Sequence, residues 1–535
     1  MIGRKQRYAL SVLSGVMLVL AFPHTGSLFP LSFLALAPLL LVEEVVYQQK
    51  YKPTKVLLHA YITFLIYNIG ATYWIYYSIG GEVGAILAYL LNGFLMALVF
   101  LLFHLTKRHV GVKEGYISIL FYWVGFEYIH YHWELSWPWI NFGNIFARVP
   151  EIVQWYEYTG ILGGTLWVLL ANLIFYKIAA NIFLKKETWK VQTPFIYLFL
   201  VVVGLPILSS IWTYSSYKEV EDPIEVVVTQ PNVDPYHEKF TGGVEEQVVR
   251  FLNLADELVT PNTQFVLAPE TAISSSFDES RFVGTAIYNL IKDRLKKWNG
   301  PALFVGASTH AYFDEWNSRA SRKLIKGDGY YESYNSSVLL EATNPPQIVH
   351  KSKLVLGVEK VPFSHIFPWM EELSIDNGGT SGTLGIEDEP KILKANGITF
   401  APIICYESVY GGFIAEQCRK GAEVIFIITN DGWWENTAGH KQHQSIARLR
   451  AIETRRSVAR SANTGISSFI NQRGDVLQST AYWEPAVIKE TLNLQKEPSF
   501  YVTYGDVIGR SFSFVFALLV VFTGVKYLRK FGKSY

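Results

Sequence analysis

The sequence predicts a two-part protein: a bundle of about eight membrane-spanning helices, and a soluble α/β layered domain inserted before the last span. Three observations predict this. Residues 8–213 are almost unbroken apolar and aromatic sequence, residues 220–500 have the mixed polar and apolar pattern of a water-soluble domain, and an isolated apolar run returns at 510–528. Half of the 535 residues are apolar and 17% are charged, averages that conceal these two regimes. A formal net charge of +1 supplies no field to attract nucleic acid, so no such partner is expected.

A helix needs about 20 apolar residues to cross the hydrocarbon core. Suitable runs lie near 8–23, 28–46, 55–76, 84–106, 115–130, 160–183, 193–213 and 510–528. They divide the chain into 1–213 with seven spans, a domain at 214–509, and a final span with its tail at 510–535. The first run follows Arg4, Lys5 and Arg7, as in a signal peptide. Phe22-Pro23-His24 is not a small-residue cleavage site, however, and a second span follows at once, so the run reads as a retained anchor.

Basic residues set the expected orientation. Arg4, Lys5 and Arg7 precede span one; Lys50, Lys52 and Lys55 follow span two; Lys107, Arg108 and Lys113 follow span four. Lys177, Lys185, Lys186 and Lys190 follow span six, and Lys526, Arg529, Lys530 and Lys533 follow the last. The alternate connections 23–30 and 77–84 carry none, and 131–159 carries only Arg148. Both termini are therefore expected in the cytoplasm, and 214–509 outside it. A transporter would show paired ionisable groups or broken helices at mid-membrane. The spans show few, with His59 and His104 near their ends.

The outer connection 131–159 is rich in indoles (Trp133, Trp137, Trp139, Trp155), which suit the membrane interface because ring and N–H are both satisfied there. It reads either as an aromatic belt or as a half-immersed loop that holds lipid. Glu127, at the outer end of span five, is a costly acid for that place.

In the soluble region, strands are expected at Ile224–Gln230, Phe265–Ala268, Leu303–Ala307, Ser336–Leu340, Thr399–Cys405, Val424–Thr429 and Ser467–Asn471. Helices are expected at Val244–Glu257, Arg281–Trp298 and Gln442–Arg456. Such alternation builds an α/β layered domain. One strand ends at Cys405, followed by Tyr406-Glu407-Ser408, Gly411 and Gly412. A thiol at a strand-to-helix turn sits near backbone N–H groups that favour the thiolate, although cysteine is also a common core residue. The second cysteine, Cys418, lies in an amphipathic stretch and reads as structural. A thiol nucleophile needs a base and a partner for oxyanion charge. Glu270 ends a buried run, and Lys351 follows an extended segment with Glu359 beyond it.

Pro269-Glu270-Thr271, Lys351-x-x-Leu-Val with Glu359, Cys405-Tyr406-Glu407, Thr429-Asn-Asp-Gly-Trp433-Trp434, and His443 with Ala447–Glu453 fall in an order that resembles the nitrilase superfamily. That resemblance implies an α-β-β-α sandwich and a Glu270–Lys351–Cys405 triad supported by Glu359, Tyr406 and Glu407. With the spans, Trp137-Pro138-Trp139, Glu127 and Tyr504-Gly505-Asp506, nearly the whole chain resembles the apolipoprotein N-acyltransferase family. Two departures stand out. Leu356-Gly357-Val358 replaces the usual Pro-x-Gly before Glu359, and a tryptophan usual after the first strand is missing, with Phe240 or Tyr236 in its place. The resemblance implies a multi-pass bacterial inner-membrane enzyme with its catalytic domain on the periplasmic side. It would move an acyl chain from a phospholipid to the N-terminal amine of a diacylglyceryl-cysteine lipoprotein, by ping-pong through a thioester on Cys405.

Trp137, Trp139, Glu127 and Trp433 are the expected substrate contacts, and an apolar helix near 360–372 an expected lid. Monomer is the expected state. No cofactor is implied. His440 and His443 lack a third metal ligand nearby, so no metal is expected. The alternative is a tethered nitrilase-type amidohydrolase acting on a small amide, for which seven preceding spans have no use.

Overall fold

The computed structural model describes residues 2–78, 81–364, 366, 369 and 382–532. The chain forms two compact units, one of Met1–Tyr73, Val83–Ser216 and Asp506–Tyr535, the other of Trp74–Glu82 and Tyr217–Gly505.

The first unit is helical. Its chain order is α1 (Arg4–Ala21), α2 (Ala37–Gln48), α3 (Thr54–Thr72), α4 (Gly81–His109), α5 (Val112–Ile129), α6 (Tyr156–Phe183) and α7 (Trp189–Ser216). Among the described residues, six segments are helical, long and apolar enough to cross a membrane: Phe29–Gln48, Thr54–Tyr77, Glu82–His109, Tyr156–Phe183, Trp189–Ser216 and Val507–Arg529. Two of the eight expected spans fall short. Each of α1 and α5 is an 18-residue helix holding three charged side chains: Arg4, Lys5 and Arg7, or Lys113, Glu114 and Glu127. Helix α7 leaves Tyr197, Leu200, Val201, Leu205 and Leu208 more than half exposed, untenable in water but suited to acyl chains. This is a membrane protein.

Ionisable pairs inside the bundle are more numerous than the sequence suggested. Lys107 Nζ contacts Glu43 and Glu44, each at 2.6 Å, and Tyr116 Oη at 2.8 Å, while His104 Nδ1 meets Glu43 at 2.6 Å. Periodicity hid this cluster because its members come from α2, α4 and α5. Buried charges persist only when paired and hydrogen-bonded, and here they tie three helices together. Glu127 is likewise enclosed. Its carboxylate accepts from Trp123 Nε1 (3.1 Å), the Phe142 amide (3.1 Å) and Thr165 Oγ1 (2.6 Å), anchoring the loop that carries Trp137 and Trp139. Those two indoles stack with centroids 5.9 Å apart, and Trp139 is buried.

The second unit holds two sheets. The first comprises β1 (Pro223–Gln230), β2 (Thr263–Leu267), β3 (Ile273–Asp278), β4 (Ala302–Phe313), β5 (Arg322–Lys323), β6 (Tyr330–Leu340), β7 (Gln347–His350) and β14 (Ala486–Asn493); the second comprises β8 (Leu393–Ala395), β9 (Ile398–Ile404), β10 (Val424–Thr429), β11 (Val458–Ala462), β12 (Ser468–Ile470) and β13 (Val476–Ser479). The first sheet runs β14-β1-β2-β4-β6-β5, with β3 beside β4 and β7 beside β6; the second runs β13-β12-β11-β10-β9-β8. Strands β1, β2 and β4 are mutually parallel, as are β9, β10 and β11.

Alternation along each strand builds the layers. Val226 and Val228 of β1, with Phe265 and Phe304, face Phe400, Phe426 and Ile428 of the other sheet. Val227, Val266, Leu303 and Val305 point away, onto Val248, Phe251 and Leu252 of α8 (Val244–Asp256) and Ile291 and Leu295 of α9 (Ala286–Trp298). Helices α10 (Gly411–Arg419) and α11 (Ala438–Thr454) cover the second sheet. The result is the expected α-β-β-α sandwich. A short α12 (Phe500–Tyr504) precedes α13 (Val507–Gly532), which returns to the helical unit. There a Cβ on Gly125 of α5 would stand 2.9 Å from the Phe516 side chain, so the bare glycine lets α13 approach.

Most of the expected lid helix near 360–372 lies outside the described residues.

Candidate active site

Parallel strands converge their carboxyl ends, where open α/β sheets hold their chemistry. Glu270 follows β2, Lys351 follows β7, Cys405 follows β9 and Asn430 follows β10. Two devices bring the Glu270 turn into place. Thr271 takes a positive φ of 48°, and Gly306 of β4 allows close approach, since a Cβ there would lie 2.5 Å from Glu270 Cα.

Glu270 and Lys351 are buried and joined. Lys351 Nζ donates to Glu270 Oε1 at 3.1 Å and to Glu359 Oε1 at 2.8 Å. Asn335 of β6 bridges the same carboxylates, its Nδ2 at 2.8 Å from each. Burial pushes Glu270 up, but Lys351, Asn335 and Lys239 outweigh it and hold the carboxyl below its ordinary range. Burial pushes Lys351 down, but Glu270, Glu359 and the nearby Cys405 hold it well above the ordinary lysine range. Glu359 Oε2 accepts from the Val355 amide at 2.8 Å. The departed Pro-x-Gly sequence therefore still delivers Glu359 to the lysine.

Cys405 is 7% exposed and has φ of +51°, a left-handed conformation that costs a non-glycine residue about 1–3 kcal/mol. Glu407 holds this turn. It accepts from the amides of Ile404 (2.8 Å), Ser352 (2.6 Å) and Lys353 (3.3 Å), so one carboxylate locks the cysteine turn to the lysine segment. Burial lifts Glu407 to about 7 against the pull of those amides. The Cys405 thiol is pushed up by burial and by Glu270, while Lys351 and Thr429 oppose the rise. The resting site is thus a thiol beside a carboxylate–ammonium pair. Tyr406 is buried with its ring edge-on to Tyr410 at 5.3 Å.

Carbon-nitrogen hydrolase describes residues 229–499, and the N-terminal domain of apolipoprotein N-acyltransferase describes residues 14–174. An apolipoprotein N-acyltransferase of Chlorobaculum tepidum is 30% identical over 513 residues, covering 94% of this chain and 93% of its own. The chain belongs to the apolipoprotein N-acyltransferase family. Proteins of that name from Geobacter metallireducens (26% identical, 94% of this chain and 92% of theirs) and Haemophilus influenzae (25%, 96% and 93%) are also similar.

Several parts of this family member's site carry no local sequence signal. Asn335 is one polar residue in a strand, and Lys239 one lysine in a loop, yet Lys239 Nζ donates to the Glu270 carbonyl at 3.0 Å. Phe240 and Tyr236 both pack on Trp433, with centroids 6.5 and 5.9 Å away. Trp74, on the connection between α3 and α4, donates to Gln442 of α11 at 3.0 Å and packs on Trp434 at 4.6 Å. The α11 motif has a structural meaning: buried Arg450 donates to the Val409 carbonyl (3.0 Å) and pairs with Glu453, closing the end of the cysteine turn.

Cys405, Asp431 and His443 bring potential metal-ligating atoms within 4.8 Å of one another. Their lone pairs are largely engaged. Asp431 pairs with Arg460 and with His443 Nδ1 (2.9 Å), and His443 Nε2 meets Ser408 Oγ at 2.8 Å. A guanidinium in direct contact also opposes a cation, so the donor set fits a buried hydrogen-bond network better than an ion.

Proposed function

We propose that this acyltransferase moves an acyl chain from a phospholipid to the N-terminal amine of a diacylglyceryl-cysteine lipoprotein, with Cys405 as nucleophile, Glu270 as base and Lys351 as oxyanion partner. The observation that carries the assignment is the buried Glu270–Lys351 pair, extended by Glu359 and set against a strained cysteine turn. Both donors that reach Glu270 from side chains bind Oε1, which leaves Oε2 to receive a proton. Because the thiol is held up and Glu270 down, that proton transfers as Sγ bonds to the ester carbonyl carbon, not before. Lys351 and backbone N–H groups near Cys405 then meet the charge on the carbonyl oxygen.

Collapse breaks the ester C–O bond. The proton on Glu270 passes to the leaving lysophospholipid oxygen, and a thioester remains. The acceptor amine attacks that thioester, Glu270 takes an amine proton and returns it to sulfur, and an amide is released. This is covalent catalysis in two half-reactions. Glu359, Glu407 and Tyr406 hold the triad. Trp433, with Phe240 and Tyr236, provides an apolar wall for substrate, and the half-buried Trp137 provides one at the bilayer, whereas Trp139, expected as a substrate contact, is buried and only backs Trp137.

The basic clusters support an orientation with both termini in the cytoplasm and the sandwich on the periplasmic side of the bacterial inner membrane. Lys107 is spent on Glu43 and Glu44, but Arg108, Lys113 and the other clusters retain the asymmetry. Acyl chains resist extraction by about 0.8 kcal/mol per CH₂, which accounts for a helical membrane unit on a monomeric enzyme. The test supplies purified protein with labelled phospholipid and a diacylglyceryl-cysteine peptide, or with small aliphatic amides. Label appearing in the peptide as an amide is expected. Amide hydrolysis without peptide acylation would replace this reading with the amidohydrolase.

A further inference from the structure

Lys239 lies on the loop after β1 and is 2% exposed. Its ammonium donates to the Glu270 backbone carbonyl at 3.0 Å. With the Asn430 amide turned to suit its neighbours, Nζ also donates to Asn430 Oδ1 at 3.0 Å, and Trp433 Nε1 donates to that oxygen at 3.2 Å. Neither acceptor is charged, and no ion pair joins Lys239 to a carboxylate among the described residues. The loop itself is clamped: Asn463, after β11, accepts from the Val233 amide (2.9 Å) and donates to its carbonyl (2.7 Å), and Tyr236 Oη donates to the Gly432 carbonyl at 3.0 Å.

An ammonium buried without a counter-ion is costly, so its place beside the site needs a reason. Formal charges supply one. Glu270 and Glu359 carry two negative charges, Lys351 carries one positive charge, and Lys239 brings these four groups to neutrality while Cys405 is a thiol; Glu407, the other carboxylate near Lys351, is also met by Lys353. Asp431 is matched by Arg460, and Glu238 by Arg250.

We propose that Lys239 is a positioning residue that holds the Glu270 turn against the Asn430 turn and supplies the second positive charge of the site. That charge balances the negative charge as it passes from Glu270 to Cys405 and on to the acyl oxygen. No proton moves through Lys239. The proposal rests on Cys405 being the nucleophile. Burial lowers Lys239 to about 8, while Glu270 and Cys405 pull it up, so its positive charge is present below that value and fades above it.

The experiment compares full-length wild type, K239M and K239R in lipid nanodiscs. Alkylation of Cys405 by iodoacetamide is followed by mass spectrometry against pH, with Cys418 as internal control. The burst of acyl-enzyme from labelled phosphatidylethanolamine is followed in parallel. Removing a buried positive charge raises the proton affinity of its neighbours. Glu270 serves as base for the thiol in alkylation too, so its ionisation sets the acid-side midpoint, where Lys239 is charged; K239M should therefore move that midpoint up by about one pH unit and slow the burst roughly 10- to 100-fold. K239R, whose guanidinium stays charged, should keep the wild-type midpoint and hold its burst rate to higher pH than wild type. A slower burst in K239M with an unmoved midpoint would reduce Lys239 to a packing role and overturn the proposal. If K239M does not fold, a K239R burst that declines at the same pH as wild type overturns it as well. A wild type that alkylates at Cys405 but shows no burst would instead sink the transferase reading, leaving the alkylation shift to judge Lys239.

Discussion

Replacing Lys351 with methionine removes the cation that touches both carboxylates, at 3.1 Å from buried Glu270 and 2.8 Å from partly buried Glu359. Two consequences differ in kind. Breaking a buried ion pair from one side costs about 3–5 kcal/mol of stability, because Glu270 stays desolvated. Losing an oxyanion donor costs a further factor of about 10²–10³ in rate. The pH dependence has a definite sign. Lys351 is the largest influence holding Glu270 down against burial, so without it Glu270 binds its proton more tightly and the acid limb of acylation moves to higher pH. The assay is single-turnover formation of acyl-enzyme from labelled phospholipid vesicles, quenched and read by intact mass across pH. A K351M rate within about threefold of wild type, with an unmoved acid limb, would refute the assignment of Lys351.

Other variants probe separate parts of the site. C405S should keep the fold and form no acyl-enzyme, whereas C418A should acylate at the wild-type rate; equal behaviour of the two would remove Cys405 from its role. G306A places a methyl group 2.5 Å from Glu270 Cα; the backbone must shift, and a loss of about 10²-fold in acylation is expected from a displacement near 1 Å. R460M leaves Asp431 buried without its guanidinium partner and should destabilise the sandwich by about 3–5 kcal/mol, read as a lower Tm in detergent. Asp431 is held far below its ordinary range by Arg460 and His443 against burial. Its contribution to wild-type stability is therefore present above the unfolded value near 4 and is lost as pH falls.

How much the sequence revealed depended on whether the signal was local. Strands whose apolar runs are continuous, such as Val424–Thr429, matched the structure residue for residue, and α8 and α11 were found with shifts at their ends. Strands β7, β11 and β14 escaped because their runs are short or polar: Arg460 and Ser461 sit inside β11 and are fully buried, their burial compensated by partners distant in sequence. The same reason hid the Lys107–Glu43 cluster and Lys239. Glu270, Lys351 and Cys405 stood out only through flanking residues in a recognisable order; spacing alone gave no sign that Asn335 links Glu270 to Glu359. Three charges within 18 residues separated α1 and α5 from the other helices, which a reading of apolar runs alone passed over.

Wild-type protein incubated with labelled phospholipid and no acceptor, then digested and mapped, should carry one acyl group on the Cys405 peptide, released by neutral hydroxylamine and discharged by added diacylglyceryl-cysteine peptide. Label that reaches the acceptor while Cys405 stays free throughout would contradict the account.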